Sequence, residues 1–99
     1  MNSAYDTDTA ELVDSDVAID LAVPYHLIVW NDEVNTFEWV IETLMEVCKH
    51  SAEQAEQCAY IIHHKGKYAV KSGDFDELAP MCHSITDRGI GATVESLVG

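Results

Sequence analysis

The chain has 99 residues, 47% of them hydrophobic, and a formal net charge of -13 at pH 7, with a pI near 4.4. That length allows one small domain around one core, near the size at which domains fold unaided. The acidity argues against binding to nucleic acid or anionic membranes, because neutralising phosphate takes clustered Lys and Arg, and the chain has five in all. No apolar run approaches the ~20 residues of a membrane span, and the N-terminus lacks a basic segment followed by an apolar one, so a cytoplasmic protein is expected. The cysteines, Cys48, Cys58 and Cys82, are odd in number and fall on apolar positions of predicted helices. They read as reduced, buried thiols rather than a disulfide framework.

Residues 1–23 stand apart in composition. Asp6, Asp8, Glu11, Asp14, Asp16 and Asp20 meet no base there, leaving 12 of the 18 acids against all five bases in the remainder. Self-repulsion and the absence of a period predict a flexible acidic extension, with the domain proper at 24–99. Pro24 marks the entry to the first strand, where a missing amide donor is tolerated. Leu27, Ile28, Val29 and Trp30 form a short apolar run rich in β-branched residues, which predicts a buried strand.

Asn31, Asp32 and Glu33 then make a polar, acidic turn. Asn35, with Glu38 three residues on, predicts a capping box at the start of a helix, and Phe37, Val40, Ile41 and Leu44 set its apolar stripe to about Cys48. A second box, Ser51 with Gln54, opens a helix whose stripe is Ala55, Cys58, Ala59 and Ile62 and which ends near His63, with Gly66 as its stop. Tyr68, Ala69 and Val70 begin a strand closed by Ser72 and Gly73. Asp74 with Glu77 predicts a third box, followed by Leu78, Met81, Cys82 and Ile85 at helical spacing. Pro80 within that helix removes a hydrogen bond and predicts a kink or a loose first turn. Arg88 and Gly89 suit a helix end, and residues 90–97 read as the last strand. The order β-α-α-β-α-β predicts an α+β domain: a three-stranded antiparallel sheet with three helices on one face.

The acidic turn sits between two rigid elements, where side chains can converge on a small ligand. Asn31, Asp32 and Glu33 offer oxygen acceptors, and a neutral His63 offers a ring nitrogen. Such a group suits an ammonium, and a free α-amino group, with a pKa of ~7.7 to 8.0, presents three donors at neutral pH. As a bare sequence feature, the turn reads first as a strand terminator and helix cap, and the apolar stripes as core.

The apolar strand, the turn at Asn31, Asp32 and Glu33, and the following Phe37, Glu38, Trp39 and Val40 resemble the Asn-Asp-Asp segment of ClpS, the bacterial N-degron adaptor family. His63, His64, Lys65, Gly66 and Lys67 are similar to that family's His-x-x-Gly-Lys stretch at comparable spacing. Together the two motifs and the order of elements span about residues 24–96. The resemblance implies a non-enzymatic, cofactor-free adaptor. Asn31, Asp32, Glu33 and His63 would clasp the α-amino group of a substrate polypeptide. Its bulky first side chain, Leu, Phe, Tyr or Trp, would enter a pocket of Asn35, Thr36, Phe37, Val40, Ala59, Ile62 and, from the last strand, Ile90. The partner implied is the N-terminal domain of a Clp-type AAA+ unfoldase of the ClpA or ClpC class, and the acidic extension would be either a solubilising tail or a delivery segment.

Departures from the family pattern bear on selectivity. Glu33 replaces a second Asp and keeps its charge on a longer arm; Asn35, Thr36 and Phe37 stand where Thr, Pro and Met are common; Ala59 stands where Met is frequent. Two other functions compete. One is an acidic interaction or inhibitor domain without recognition of chain termini. The other is a metal protein or enzyme using His63, His64, Cys82 and His83, against which adjacent residues on a helix point in different directions.

Overall fold

The computed structural model describes residues 25–96. The acidic extension at 1–23, Pro24 as the entry to the first strand, and the end of the last strand at Leu97 lie outside them. Six elements follow in the expected order: β1 (Tyr25–Trp30), α1 (Phe37–Val47), α2 (Ala52–Lys65), β2 (Lys67–Gly73), α3 (Phe75–Asp87) and β3 (Ala92–Ser96). The sheet is antiparallel with strand order β2-β1-β3, so β1 is its centre.

Alternation along β1 decides where the helices lie. Leu27 and Val29 point to one face and are buried with Leu44 of α1, Ala55, Cys58 and Ile62 of α2, and Leu78 and Ile85 of α3. All three helices therefore close over this one face of the sheet. An extra residue in β2 shifts the register between Leu27 and Ile28, which pair with Lys71 and Ala69. Val70 falls in that gap and enters the core.

The helix starts depart from the expected boxes. Ser51 caps α2 as expected, its hydroxyl accepting from the Gln54 N–H at 3.1 Å. Helix α1 instead begins one residue late, capped by Thr36, whose Oγ1 accepts from the Trp39 N–H at 3.0 Å. The reason is that the Asn35 side chain is already engaged elsewhere. Asp74 holds the N-cap position of α3 but makes no side-chain capping bond; its carbonyl accepts from Glu77 and Leu78. Pro80 lies inside α3 without ending it. Only the Asp76 carbonyl loses its helical donor, one turn in, where the chain is still exposed.

Gly66 ends α2 in the left-handed region, at φ 94°, with its N–H on the Ile62 carbonyl at 2.9 Å. At the other helix end, Gly89 at φ 85° and Ile90, whose N–H reaches the Ile85 carbonyl, close α3. Ile90 thus belongs to the helix-ending turn and not to β3, which starts two residues later. An apolar residue after a glycine reads as a strand start, but here it seals the core at 2% exposure. Cys48 and Cys58 are buried, whereas Cys82 is only half-buried, a correction to the expectation that all three are inside. Burial pushes the Cys48 thiol up to about 11 and raises Cys82 as well.

Candidate functional site

The end of β1 is tied to two other segments by its own backbone. The Trp30 N–H donates to the Gly91 carbonyl at 2.9 Å and the Asn31 N–H to the Gly66 carbonyl at 2.8 Å. The second bond sets the acidic turn against the C-terminal end of α2, three residues beyond His63. Sequence spacing shows that His63 and Asn31 each end an element; this bond is what makes those two ends neighbours.

Within the turn, Asp32 acts as a staple. Its Oδ1 accepts from the Val34 and Asn35 backbone N–H groups, each at 2.8 Å, and its Oδ2 from the Asn35 side-chain amide at 2.7 Å. The two bonds from Asn35, backbone and side chain, and to a lesser extent that from Val34 hold this carboxyl below its ordinary 3.8 against the opposing effect of burial. Three bonds use three of the roughly four lone-pair directions of a carboxylate, so at least one remains for a further donor. The Asn35 amide also donates to the Gly89 carbonyl at 2.9 Å. Both its neighbours are acceptors, which fixes the NH2 end towards them.

Helix α1 is braced on the same side. The Trp39 indole N–H donates to the Arg88 carbonyl at 3.0 Å, the Arg88 guanidinium lies over the Trp39 ring at 5.4 Å, and Arg88 pairs with Glu46 at 2.8 Å. Gly89 and Arg88 were legible only as a helix end. Nothing in the sequence shows that their carbonyls would hold Asn35 and Trp39.

These constraints leave a concavity of about 400 Å³ lined by Asn31, Asp32, Glu33, Asn35, Thr36, Phe37, Val40, Ala59, Ile62 and His63. Of the residues assigned from sequence to the amino clasp and the side-chain pocket, Ile90 alone does not line it and is buried in the core. The concavity is polarised. Asn31, Asp32, Glu33 and His63 are exposed at its rim, Val40 is half-buried, and Ala59 and Ile62 form a buried apolar floor. Phe37 is 40% exposed and stands edge-on to the His63 ring, centroids 6.4 Å apart at 85°. Oxygen acceptors above a dry floor fit a ligand that carries a cationic donor group next to an apolar one.

No group of three or more His, Cys, Asp or Glu side chains among the described residues converges as a metal site. His83 is at the surface with Asp87 at 3.5 Å, far out on α3, while Cys82 turns partly inward. No helix among the described residues is long and apolar enough to cross a membrane.

Residues 22–93 match the family model described as ATP-dependent Clp protease adaptor protein ClpS. The chain is 29% identical over 85 residues to the ATP-dependent Clp protease adapter protein ClpS of Corynebacterium aurimucosum, covering 86% of this chain and 77% of that one. It is 30% identical over 73 residues to the same protein of Streptomyces coelicolor, covering 74% and 76%. Among solved structures it is similar in fold to Agrobacterium tumefaciens ClpS2 bound to L-phenylalaninamide, with a TM-score of 0.72, 21% identity, and coverage of 75% of this chain and 96% of that chain.

Proposed function

Because the chain belongs to the ClpS family of ATP-dependent Clp protease adaptors, we propose that it binds proteins by a free α-amino group and a bulky hydrophobic first residue and delivers them for degradation without catalysis of its own. The observation that carries this reading is the shared concavity. Asn31, Asp32, Glu33 and His63 stand at the rim of a site whose floor is Val40, Ala59 and Ile62. The ammonium of a substrate would take the rim acceptors, and its first side chain would displace water from the floor. L-Phenylalaninamide, the ligand named with the Agrobacterium ClpS2 structure, has this pairing of free amine and apolar ring.

The receiving machine would be a Clp-type AAA+ unfoldase of the ClpA or ClpC class, engaged through its N-terminal domain. The test is a fluorescence titration of otherwise identical peptides beginning with each amino acid. Leu, Phe, Tyr and Trp should bind; a set of affinities that does not depend on the first residue would leave only an acidic interaction domain.

A further inference from the structure

The three helices close over one face of the sheet, and among the described residues no helix or strand covers the other. Strand pairing sets what that open face carries. His26, Ile28 and Trp30 of β1 point to it; Ser72 and Glu95 flank His26, and Ala69 and Thr93 flank Ile28. The Trp30 indole N–H donates to Thr93 Oγ1 at 3.1 Å, and the Lys67 ammonium sits 4.6 Å over its ring, which leaves the ring held in place but 37% exposed. His26 is 4% exposed. Its Nδ1 meets Ser72 Oγ at 3.0 Å, while its Nε2 is buried with no partner among the described residues. A buried ring nitrogen left unpaired is costly in either tautomer, so this atom marks a place for one further polar group.

We propose that the open face is the docking strip of this chain's own acidic extension, with residues 17–23 running back over β1. Three observations name that occupant. The extension joins the sheet at Tyr25, one residue before His26, so the residues that would turn back over His26 are its neighbours in sequence, and their backbone amides and carbonyls can satisfy either tautomer of the ring. The extension as a whole has no period, but its last stretch alternates, with Val17, Ile19, Leu21 and Val23 on one side and Ala18, Asp20 and Ala22 on the other. Laid antiparallel to β1 with the apolar side down, Leu21, Ile19 and Val17 recur at the same two-residue interval, roughly 6.6 Å, as His26, Ile28 and Trp30. The order of charges matches as well. The stretch that would lie beside Glu95, Leu21 to Pro24, carries no acid, whereas Asp16 and Asp14 would arrive beyond Trp30, where Lys67 and Lys65 stand.

The test is NMR of the full chain with isotope-labelled methyl groups. Nuclear Overhauser contacts from the Val17 and Ile19 methyls to the Trp30 ring are expected. In a sample mixing labelled and unlabelled chains these contacts should stay within one chain; contacts that arise only between chains would put a second copy on the face and overturn the assignment, and so would the absence of any contact. Ile19→Ser, Leu21→Ser should abolish the contacts to Trp30. Asp14→Lys, Asp16→Lys should weaken them about twofold or more at low salt, while Asp6→Lys, Asp8→Lys, an equal change of charge farther from the sheet, should leave them in place. Equal weakening by both pairs would make the overall charge the cause and overturn the register given to residues 17–23.

Discussion

The side-chain amide of Asn35 donates to Asp32 Oδ2 at 2.7 Å while its second hydrogen reaches the Gly89 carbonyl at 2.9 Å. One amide thus joins the acidic turn to the end of α3. Asn35→Ala removes both bonds and leaves Asp32 with its two backbone donors. At about 0.5 to 1.5 kcal/mol for the neutral bond and about 1.5 to 3 kcal/mol for the one to the ionised Asp32, both discounted for exposure, roughly 1 to 2 kcal/mol of stability should go. Peptide affinity should fall about five- to tenfold as the turn loses its position. Asn35→Asp should do worse on both counts, because a carboxylate would then face Asp32 and a carbonyl. Urea unfolding and peptide titration check the order; an Asp variant equal to the Ala one would show that the amide only fills space.

The titration of Asp32 has a definite sign. Its hydrogen bonds, chiefly those from Asn35, hold its folded pKa below the ordinary 3.8. The stabilisation it contributes is therefore complete above the unfolded value and is lost as the pH falls through the lower, folded one. Between pH 7 and 5 the turn should stay intact. Any loss of peptide affinity in that range therefore comes from a group other than Asp32. His63→Ala, which removes a ring at the rim of the concavity, should bind peptides weakly while keeping the turn. An affinity equal to that of the unaltered chain would remove His63 from the clasp.

Acetylating the amino terminus of a Phe-led peptide takes away its charge and two donors. Two rim acceptors left unpaired cost roughly 1 to 3 kcal/mol each. The affinity should drop at least thirtyfold, and a smaller change would mean that the rim acceptors face water in the complex.

Much of this was readable from residue order, because the helix stripes and β-branched runs depend on local spacing alone. Ala55, Cys58, Ala59 and Ile62 fall on one face of α2 whatever packs there. What escaped was decided by distant partners. Asn35 and Thr36 are equally good N-cap residues by type, and only the Gly89 carbonyl, 54 positions away, diverts Asn35 and hands the cap to Thr36. Ile90 follows the same logic. As an apolar residue beside a glycine it fits a strand or a helix stop, and the Ile85 carbonyl settles which. Cys82 shares its helix stripe with Ile85, yet α3 leans on the sheet so that Ile85 is fully buried and Cys82 is not.

The thiols give a check on that packing. With Cys48 pushed up to about 11 by burial, almost none of it is thiolate at pH 8, and the group is also inaccessible. Native protein should react with a thiol reagent at Cys82 first and slowly, and at Cys48 and Cys58 only after denaturant is added. Fast labelling of Cys48 in the native state would mean that the end of α1 opens readily.

Selectivity for the first residue should turn on Phe37 and Ala59, which both line the concavity. Ala59 is 2% exposed and lies in the floor of the concavity, so its small side chain deepens the site; Phe37 is 40% exposed and forms a rigid wall. A deep site with one flat wall favours planar rings. Burying a ring gains more apolar area than burying Leu, at about 25 cal/mol per Å², and ring against ring can add roughly 0.5 to 1.5 kcal/mol. Phe, Tyr and Trp should therefore bind at least as well as Leu, with Ile and Val much weaker because a β-branch crowds the Phe37 wall. Ala59→Met should shrink the floor and lower Trp affinity relative to Leu by about threefold or more. Adding methylenes to a tight position also costs about 1 to 3 kcal/mol of stability, so a melting curve must accompany the titration. Phe37→Ala changes an exposed residue at little cost to the core and should relax the exclusion of Ile and Val. If Ala59→Met destabilises the fold but leaves the Trp-to-Leu ratio where it was, Ala59 serves the core alone and the first side chain rests against Val40 and Ile62 instead.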